Sequence, residues 1–336
     1  MVLRNKPVLV LGAGSWGTAL ALVLARNSNP TFLWDCDEEH LRNLVGQACN
    51  NRHLPGYPFP GTLTPSPDLI PLLQEVEDIV IAVPCEGLQA VLQEMQTVTS
   101  HTFRICLACK GLEPSTHSLN HKVVRDALGD IPVAVLSGPS FAAEVAAGLP
   151  TAVTVASGDA ATAHYFSERF HDEVFRIYTH DDVIGTQVGG AVKNIMAIAA
   201  GIADGLGFGA NTRAALITRG LAEITRLGIA MGGRQETFMG LAGLGDLVLT
   251  CTDNQSRNRR LGLALAQGSS VDAARQEIGQ AVEGVRTAEA VYSLARKYRI
   301  EMPISEQIYK VIHGQVLPAE AVQALLAREK KAELGG

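Results

Sequence analysis

The chain has 336 residues, a formal net charge of −6 and few aromatic residues, and this length predicts two domains that each bury a core. The acidic balance argues against nucleic acid as a partner. It also leaves no polybasic segment that could hold the chain on a membrane surface.

The first predicted strand leads into a motif typical of dinucleotide binding. Residues 8–11 form a continuous apolar run, Gly12, Gly14 and Gly17 follow in G-x-G-x-x-G spacing, and residues 18–27 read as a helix. In this motif the first glycine makes a tight turn, the second admits a pyrophosphate, and the third lets the helix pack on the strand. The helix N-terminus offers free N–H groups to the phosphates. The alternative is a tight turn without a ligand.

The second predicted strand, residues 31–34, ends at Asp35. An acid about twenty residues after the glycine motif binds the adenosine ribose hydroxyls, and it repels a 2′-phosphate. Residues 36–39 supply no compensating base, although Arg42 follows one helical turn later. Asp35 therefore favours NAD as the cofactor, with NADP still possible. The alternative is that Asp35 only caps the next helix.

Strands and helices continue to alternate up to about residue 180, after a proline-rich, irregular stretch at residues 50–67. Strands are predicted at residues 78–83, 103–109, 133–136, 151–156 and 174–178, and helices at residues 87–96, 117–128 and 160–170. This alternation predicts a doubly wound, mainly parallel sheet of the Rossmann type. Ligands of such a sheet gather beyond the carboxyl ends of its strands, where Lys110 and the small-residue turn at residues 137–142 lie. A solvated loop position is the alternative for Lys110.

After residue 179 the strand signals disappear, and helices are predicted at residues 183–205, 212–227, 256–266, 271–278, 287–297 and 305–313. The expected fold class is therefore α/β, with an N-terminal Rossmann-type domain at residues 1–181 and an all-α C-terminal domain at residues 182–330. Residues 331–336 are expected to be a charged tail. The most apolar helix carries Lys193 at mid-span, which costs about 2.5–3.5 kcal/mol in a membrane, so we expect no membrane span.

Lys193 is the candidate catalytic residue. Gly189 and Gly190 precede it on the same helical face, and the lysine stem leans back over them, which predicts open space beside the amine. Burial disfavours the charged amine, so Lys193 could exchange a proton near neutral pH, as ketone reduction requires. The alternative is a structural lysine that reaches the surface, with glycines that only allow tight helix packing.

A basic cluster follows the glycine-rich turn that ends at Asp246. Arg257, Arg259 and Arg260 stand at a predicted helix start that Ser256 or Asn254 would cap. A helix N-terminus with arginines is suited to a phosphate group. The alternative is a solvated basic first turn, although positive charge there opposes the helix macrodipole. Asp246 and Lys110 could orient the Lys193 amine or hold substrate hydroxyls.

The six cysteines predict reduced thiols and a cytoplasmic protein, since no secretory signal precedes the glycine motif. Cys106 and Cys109 match C-x-x-C, but residues three apart on a strand point to opposite faces. No second pair completes a zinc site, so we expect no metal.

Six segments together carry a resemblance to a known family. They are GAGSWGTALA from Gly12, ACKGLE from Ala108, SGPSFAAE from Ser137, GGAVKNIMAI from Gly189, LAGLGDLVLTCTDNQSRNRRLG from Leu241 and VEG from Val282. Over essentially its full length the sequence resembles the bacterial-type NAD(P)-dependent glycerol-3-phosphate dehydrogenases.

The resemblance implies that a homodimer interconverts sn-glycerol 3-phosphate and dihydroxyacetone phosphate, supplying the glycerol backbone of phospholipids. Lys193 would be the proton acceptor. The resemblance places these residues at the cofactor: Ser15, Trp16, Lys110, Ala142, Arg257 and Glu283. It places these residues around the substrate, with Arg257 and Asn258 near its phosphate: Lys110, Gly138, Ser140, Lys193, Asp246, Ser256, Arg257 and Asn258.

One departure concerns the cofactor. Members of the family that accept NADPH tend to carry a basic residue, or at least no acid, just after the second strand, where this chain has Asp35 and Asp37. We therefore expect NADH to be used at least as well as NADPH. Two rival functions are a β-hydroxyacid-type dehydrogenase with a carboxylate substrate and a cofactor-binding regulatory protein without turnover. The basic cluster argues weakly against the first, and Lys193 argues against the second.

Overall fold

The computed structural model describes residues 6–98 and 102–328, so the predicted tail at residues 331–336 lies outside the described residues. The chain divides into two compact units. The first contains Met1–Ala191 and Gly228–Asp246, and the second contains Val192–Leu227 and Leu247–Gly336. The predicted boundary at residue 181 follows the last strand, which ends at His180, and the assignment of domains stays a prediction.

The first unit is built on an eight-stranded sheet with the order β3-β2-β1-β4-β5-β6-β7-β8. The strands are β1 (Val8–Leu11), β2 (Thr31–Trp34), β3 (Leu63–Pro65), β4 (Asp78–Ile81), β5 (Arg104–Leu107), β6 (Val133–Ser137), β7 (Thr151–Ala156) and β8 (Phe175–His180). Neighbouring strands are parallel except β6 and β7, which run antiparallel. The order of the first six strands is that of a Rossmann fold, which confirms the predicted fold class.

Helices cover both faces of this sheet. They are α1 (Ser15–Arg26), α2 (Glu38–Gln47), α3 (Leu69–Glu75), α4 (Leu88–Gln96), α5 (Asn120–Leu128), α6 (Ala142–Ala146) and α7 (Ala160–Phe170). Strand β1 shows why both faces need cover, since Val8 and Val10 belong to one hydrophobic core and Leu9 and Leu11 to another. Side chains alternate across a strand, so a continuous apolar run requires packing on both sides.

Two long helices follow, α8 (Val183–Gly205) and α9 (Ala210–Ala230), and the first unit also contains α10 (Gln235–Met239) and a π-helical turn at Leu241–Gly245. By length and composition α8 could cross a membrane, but 89% of its most apolar window is buried, as in the core helix of a globular domain.

Helices are the only regular secondary structure among the described residues of the second unit, as predicted. Besides parts of α8 and α9 it contains α11 (Asp246–Thr252), α12 (Arg257–Ala266), α13 (Val271–Ile278), α14 (Gly284–Tyr298), α15 (Pro303–Ile312) and α16 (Pro318–Leu326). Helices α8 and α12 touch through their backbones, since a Cβ on Gly201 would lie 2.1 Å from Arg259 O and one on Gly262 would lie 2.1 Å from Ile198 O. This contact fixes the start of α12 beside α8.

Candidate active site

The glycine motif has the geometry that dinucleotide binding requires. Gly12 has a φ of +107°, and a Cβ there would lie 2.8 Å from Val83 N. A Cβ on Gly17 would lie 1.9 Å from Gly12 O, whereas one on Gly14 would meet no atom within 4 Å. Gly14 is also the N-cap of α1, and no side chain caps that helix. As the motif requires, Gly12 makes the tight turn, Gly14 leaves the approach to the backbone open, and Gly17 allows close packing.

Asp35 is tied to the glycine motif and not to the helix that follows it. Its Oδ2 accepts a hydrogen bond from Ala13 N at 2.7 Å, and its Oδ1 accepts one from Asp37 N at 3.1 Å. The N-cap of α2 is Asp37, whose side chain accepts from His40 N at 2.9 Å. The alternative that Asp35 caps this helix is therefore wrong.

The structure brings a base to this end of the motif that the sequence reasoning missed. Arg52, from the proline-rich stretch, forms an exposed ion pair with Asp37 at 2.7 Å, while Arg42 pairs with Glu38 at 3.5 Å. The hydrogen bond from His40 N and the Arg52 guanidinium lower the pKa of Asp37. Arg52 stands far from Asp35 in sequence, so that only the folded loop reveals it.

Lys110 follows β5 and is largely buried. Its Nζ donates to Gly138 O at 2.9 Å and to Asp246 Oδ2 at 2.8 Å, with the two side chains of the ion pair 14% and 1% exposed. Trp16 donates its Nε1–H to Ala108 O at 3.1 Å, and its ring centroid lies 5.9 Å from Lys110 Nζ. The solvated-loop alternative for Lys110 is therefore wrong.

Four more residues of the resemblance have identified positions in the first unit. Ser140 Oγ donates to Gly138 O at 2.9 Å, and Gly138 has a φ of +139°. Ala142 is the first residue of α6, where the sequence predicted only a small-residue turn. Ser15 Oγ donates to the carbonyl oxygen of His53 at 2.7 Å.

The backbone of Gly189 and Gly190 on α8 is not bare, as the sequence predicted, but covered by other parts of the chain. A Cβ on Gly189 would lie 2.4 Å from Ala242 O, and one on Gly190 would lie 2.8 Å from Ser137 Oγ. Both glycines let α8 approach neighbouring parts of the first unit closely. The expectation of bare backbone at these two glycines was wrong, and the packing alternative describes both positions, while open space beside the Lys193 amine stays a prediction.

Lys193, in the second unit, is 7% exposed, and its Nζ donates to Thr250 Oγ1 at 3.0 Å. Thr250 lies on α11 and is itself 5% exposed. The alternative of a lysine that reaches the surface is therefore wrong. Sequence reasoning missed Thr250 because it did not predict α11, although the residue stands one helical turn after Asp246.

The N-termini of α12 and α14 lie close together beside Asn194, which follows Lys193 on α8. Asn194 Nδ2 donates to Glu283 Oε2 at 3.4 Å, and Asn258 Oδ1 accepts from Gly284 N at 3.0 Å. Ser256, and not Asn254, caps α12, because its hydroxyl accepts from Arg259 N at 3.2 Å. Asn194 was not among the predicted site residues, and only its position next to Lys193 could have suggested it.

The basic cluster separates into arginines with different surroundings. Arg259 is buried and donates to Asp204 Oδ2 at 2.6 Å and to Asn254 Oδ1 at 2.8 Å. It therefore links α12 to α8 and to the segment that precedes α12. Arg257 is half-buried at the first position of α12, and its side chain has no hydrogen bond or ion pair with any described residue. Arg260 is exposed. Arg257 is thus the cation that a bound anion at this helix N-terminus could use.

The cysteines remain thiols in the described part of the chain, and burial raises the pKa of the Cys106 thiol. Among residues 6–98 and 102–328, no three His, Cys, Asp or Glu side chains are grouped so that they could hold a metal ion.

Comparison with known proteins identifies the family. The family model described as the N-terminus of NAD-dependent glycerol-3-phosphate dehydrogenase matches residues 7–163, and the model of its C-terminus matches residues 182–323. Glycerol-3-phosphate dehydrogenase (NAD(P)+) of Nitrosococcus oceani is 54% identical over 331 residues, which cover 98% of this chain and 96% of the relative. The protein of the same name from Photobacterium profundum is 54% identical over 326 residues, or 96% of each chain.

Solved structures agree with this result. The crystal structure of glycerol-3-phosphate dehydrogenase from Coxiella burnetii has a TM-score of 0.94 and 51% identity, and the match covers 97% of this chain and 100% of that one. D-mandelate dehydrogenase with NADH, at 13% identity and a TM-score of 0.61, shares the fold alone. The family models and these relatives lead to one conclusion: the chain belongs to the NAD-dependent glycerol-3-phosphate dehydrogenase family.

Proposed function

We propose that the chain interconverts sn-glycerol 3-phosphate and dihydroxyacetone phosphate by hydride transfer with a nicotinamide cofactor, and so feeds glycerophospholipid synthesis. The observation that carries the proposal is the buried amine of Lys193, held 3.0 Å from the Thr250 hydroxyl. The second unit also presents the N-terminus of α12 with Arg257, which suits a phosphate.

The residues of the glycine motif fit a dinucleotide. Gly14 leaves its backbone open to a pyrophosphate, and the uncapped N-terminus of α1 offers N–H groups. Asp35 would accept hydrogen bonds from the ribose hydroxyls. When bound, the cofactor supplies or accepts the hydride. Further cofactor contacts are proposed for Ser15, Trp16, Gly12, Gly17, Lys110, Ala142, Arg257 and Glu283.

Lys193 manages the proton in this proposal. Reduction of the ketone of dihydroxyacetone phosphate places negative charge on its oxygen, and the ammonium form of Lys193 donates a proton there. In the reverse direction the neutral amine takes the proton from the C2 hydroxyl of sn-glycerol 3-phosphate. Thr250 orients the amine through the hydrogen bond that it accepts.

The substrate's phosphate is assigned to the start of α12. Arg257 supplies a guanidinium that suits bidentate phosphate contact, and Ser256 and Asn258 flank it. A phosphate dianion also benefits from the positive end of the helix dipole. The remaining polar contacts to the substrate are proposed for Lys110, Gly138, Ser140 and Asp246.

The preference for NAD over NADP rests on Asp35, whose carboxylate would repel a 2′-phosphate. Arg52 offers a counter-charge to a 2′-phosphate through its position at Asp37, which supports some use of NADP. A cytoplasmic location and a homodimer complete the proposal. The thiol state of the six cysteines supports a reducing compartment.

An absorbance assay at the NADH band tests the proposal. We expect wild-type protein to oxidise NADH when dihydroxyacetone phosphate is added, and not when a 2-keto acid replaces it. Turnover with the keto acid alone would identify a β-hydroxyacid-type dehydrogenase. Cofactor binding with neither turnover would identify a regulatory protein.

A further inference from the structure

A turn outside the glycine motif holds the motif in place. This turn, residues 50–54, which we call the strap, closes with a hydrogen bond from Leu54 N to Asn50 O at 2.8 Å. It belongs to the proline-rich stretch for which the sequence predicted no role. Its side chains and backbone form hydrogen bonds with Ala13 and Ser15 of the glycine motif.

Asn50 is 0% exposed, and both polar atoms of its side-chain amide make hydrogen bonds. Its Nδ2 donates to Ala13 O at 2.7 Å and to Thr18 Oγ1 at 2.8 Å, and its Oδ1 accepts from His53 N at 3.0 Å. A buried amide with all of these bonds restrains the groups that it contacts, because its polar atoms lose their hydrogen bonds if those groups move.

The strap makes a second attachment through His53. The carbonyl oxygen of His53 accepts from Ser15 Oγ at 2.7 Å, and its ring packs edge-on against His40 at a centroid distance of 4.9 Å. His40 Nε2 lies 3.2 Å from Ala13 O. Ala13 O is thus held from two sides, while the Ala13 N–H is held by Asp35 at 2.7 Å.

Fixing the carbonyl of Ala13 fixes the next N–H as well. In a planar trans peptide the C=O of one residue and the N–H of the next point in opposite directions. With Ala13 O bound by Asn50, the Gly14 N–H points away from the strap. No described residue accepts a hydrogen bond from that N–H, and Gly14 faces open space. The orientation suits donation to a pyrophosphate.

We propose that Asn50 is a positioning residue for the cofactor, which orients the Ala13–Gly14 peptide so that the Gly14 N–H meets a phosphate oxygen. The inference rests on the proposed function, since it concerns the dinucleotide of that reaction. Asn50 acts through Ala13 and has no role in proton transfer, so its loss affects cofactor affinity and leaves the chemical step unchanged.

The test measures NADH dissociation constants and steady-state kinetics for Asn50→Ala and Asn50→Asp. Asn50→Ala loses the hydrogen bond to Ala13 O and leaves the Ala13–Gly14 peptide freer to rotate. We therefore expect the Kd for NADH to rise about tenfold. Asn50→Asp keeps the shape but turns an acceptor toward Ala13 O, so we expect a larger rise. We expect kcat at saturating NADH and KM for dihydroxyacetone phosphate to stay within about twofold, since neither depends on this peptide in the proposal.

Asn29→Ala is the matched control. Asn29 is also 0% exposed, and its side chain likewise donates two hydrogen bonds and accepts one. It donates to Leu24 O at 2.9 Å and to Arg169 O at 3.3 Å, and it accepts from Arg169 Nη1 at 2.8 Å. We expect it to lower the melting temperature as Asn50→Ala does, with unchanged NADH affinity. Equal Kd values for the two alanine variants, or an unchanged Kd in Asn50→Asp if Asn50→Ala does not fold, would overturn the inference. Failure of wild-type protein to bind NADH would instead overturn the proposed function.

Discussion

At the scale of single residues, the role proposed for Lys193 can be tested apart from cofactor binding, because the proposal gives its amine a proton transfer and no contact with NADH. We predict that Lys193→Ala lowers kcat by about 10²–10⁴-fold, the usual contribution of a positioned acid or base. NADH affinity should change by less than about twofold, because the glycine motif is untouched. Steady-state absorbance and fluorescence titration give the two quantities. Lys297→Ala, an exposed lysine on α14, is the control, and activity of Lys193→Ala within tenfold of wild type would return Lys193 to a structural role.

The arginine cluster offers a matched pair. Arg257→Ala should raise KM for dihydroxyacetone phosphate by about ten- to a hundredfold, the loss expected for hydrogen bonds to a charged group. Arg260→Ala removes an equal charge from an exposed position three residues away on α12, and KM should stay within about twofold. Equal effects of the two variants on KM would mean that the cluster acts through general electrostatic attraction and that the phosphate lies elsewhere.

In the proposal, cofactor preference depends on two side chains of opposite charge, Asp35 and Arg52. Asp35→Gly removes the carboxylate that would repel a 2′-phosphate, and we expect the kcat/KM ratio of NADPH to NADH to rise by about tenfold or more. Arg52→Ala should lower that ratio, because its guanidinium, which pairs with Asp37, would supply a counter-charge to a 2′-phosphate. Steady-state kinetics with both cofactors provide the ratios. A strong NADPH preference in wild-type protein would refute the role given to Asp35.

At the scale of elements, hydrophobic periodicity predicted those helices and strands whose bounds depend on the local sequence. The bounds of α8 and α13 agree with the prediction, and so do those of the strands β1, β2 and β7. The helix α11 and the π-helical turn before it were missed, because glycines at positions 240, 243 and 245 read as a loop. Helix α5 begins at Asn120 instead of residue 117, since His117 has a φ of +58° that no helix accommodates.

The glycines of α8 show the limit of reasoning from one helix. The sequence placed Gly189 and Gly190 beside Lys193 but could not show what approaches them from the rest of the chain. The contact with Ala242 comes from a segment distant in sequence, so it depends on tertiary structure. The strap, including Arg52, was missed for the same reason, since it contacts Asp37 and the glycine motif from a loop without a periodic pattern.

Gly189→Ala tests this packing directly. A Cβ 2.4 Å from Ala242 O requires the backbone to move, so we expect the free energy of unfolding to fall by about 1–3 kcal/mol. Gly46→Ala is the control of opposite sign. It lies within α2 with no atom within 4 Å of the added Cβ, and it should stabilise the protein by about 0.5–1 kcal/mol. Urea unfolding measures both changes. A neutral or stabilising Gly189→Ala would show that α8 can shift at no cost.

At the scale of the whole molecule, alternation of strands and helices predicted the sheet but not every strand direction. The antiparallel pairing of β6 and β7 has no signature in hydrophobic periodicity. The helix between them, α6, spans only Ala142–Ala146, which is short for the crossover that a parallel pair needs. The family resemblance of the sequence supplied candidate site residues that topology alone leaves undetermined, such as Glu283 and Asn258.

Cofactor binding should appear in the stability of the first unit, which contains both tryptophans of the chain, Trp16 and Trp34. A ligand that binds only the folded protein stabilises it by about 2.7 kcal/mol at a hundred times its Kd. We therefore expect NAD at that concentration to shift the tryptophan-detected urea transition by this amount. Lys193→Ala should show the same shift, because binding and proton transfer are separate in the proposal. Asn50→Ala should show a smaller shift at the same NAD concentration, since its Kd is higher. If NAD left the tryptophan-detected transition of wild-type protein unchanged, the glycine motif would not be the cofactor site.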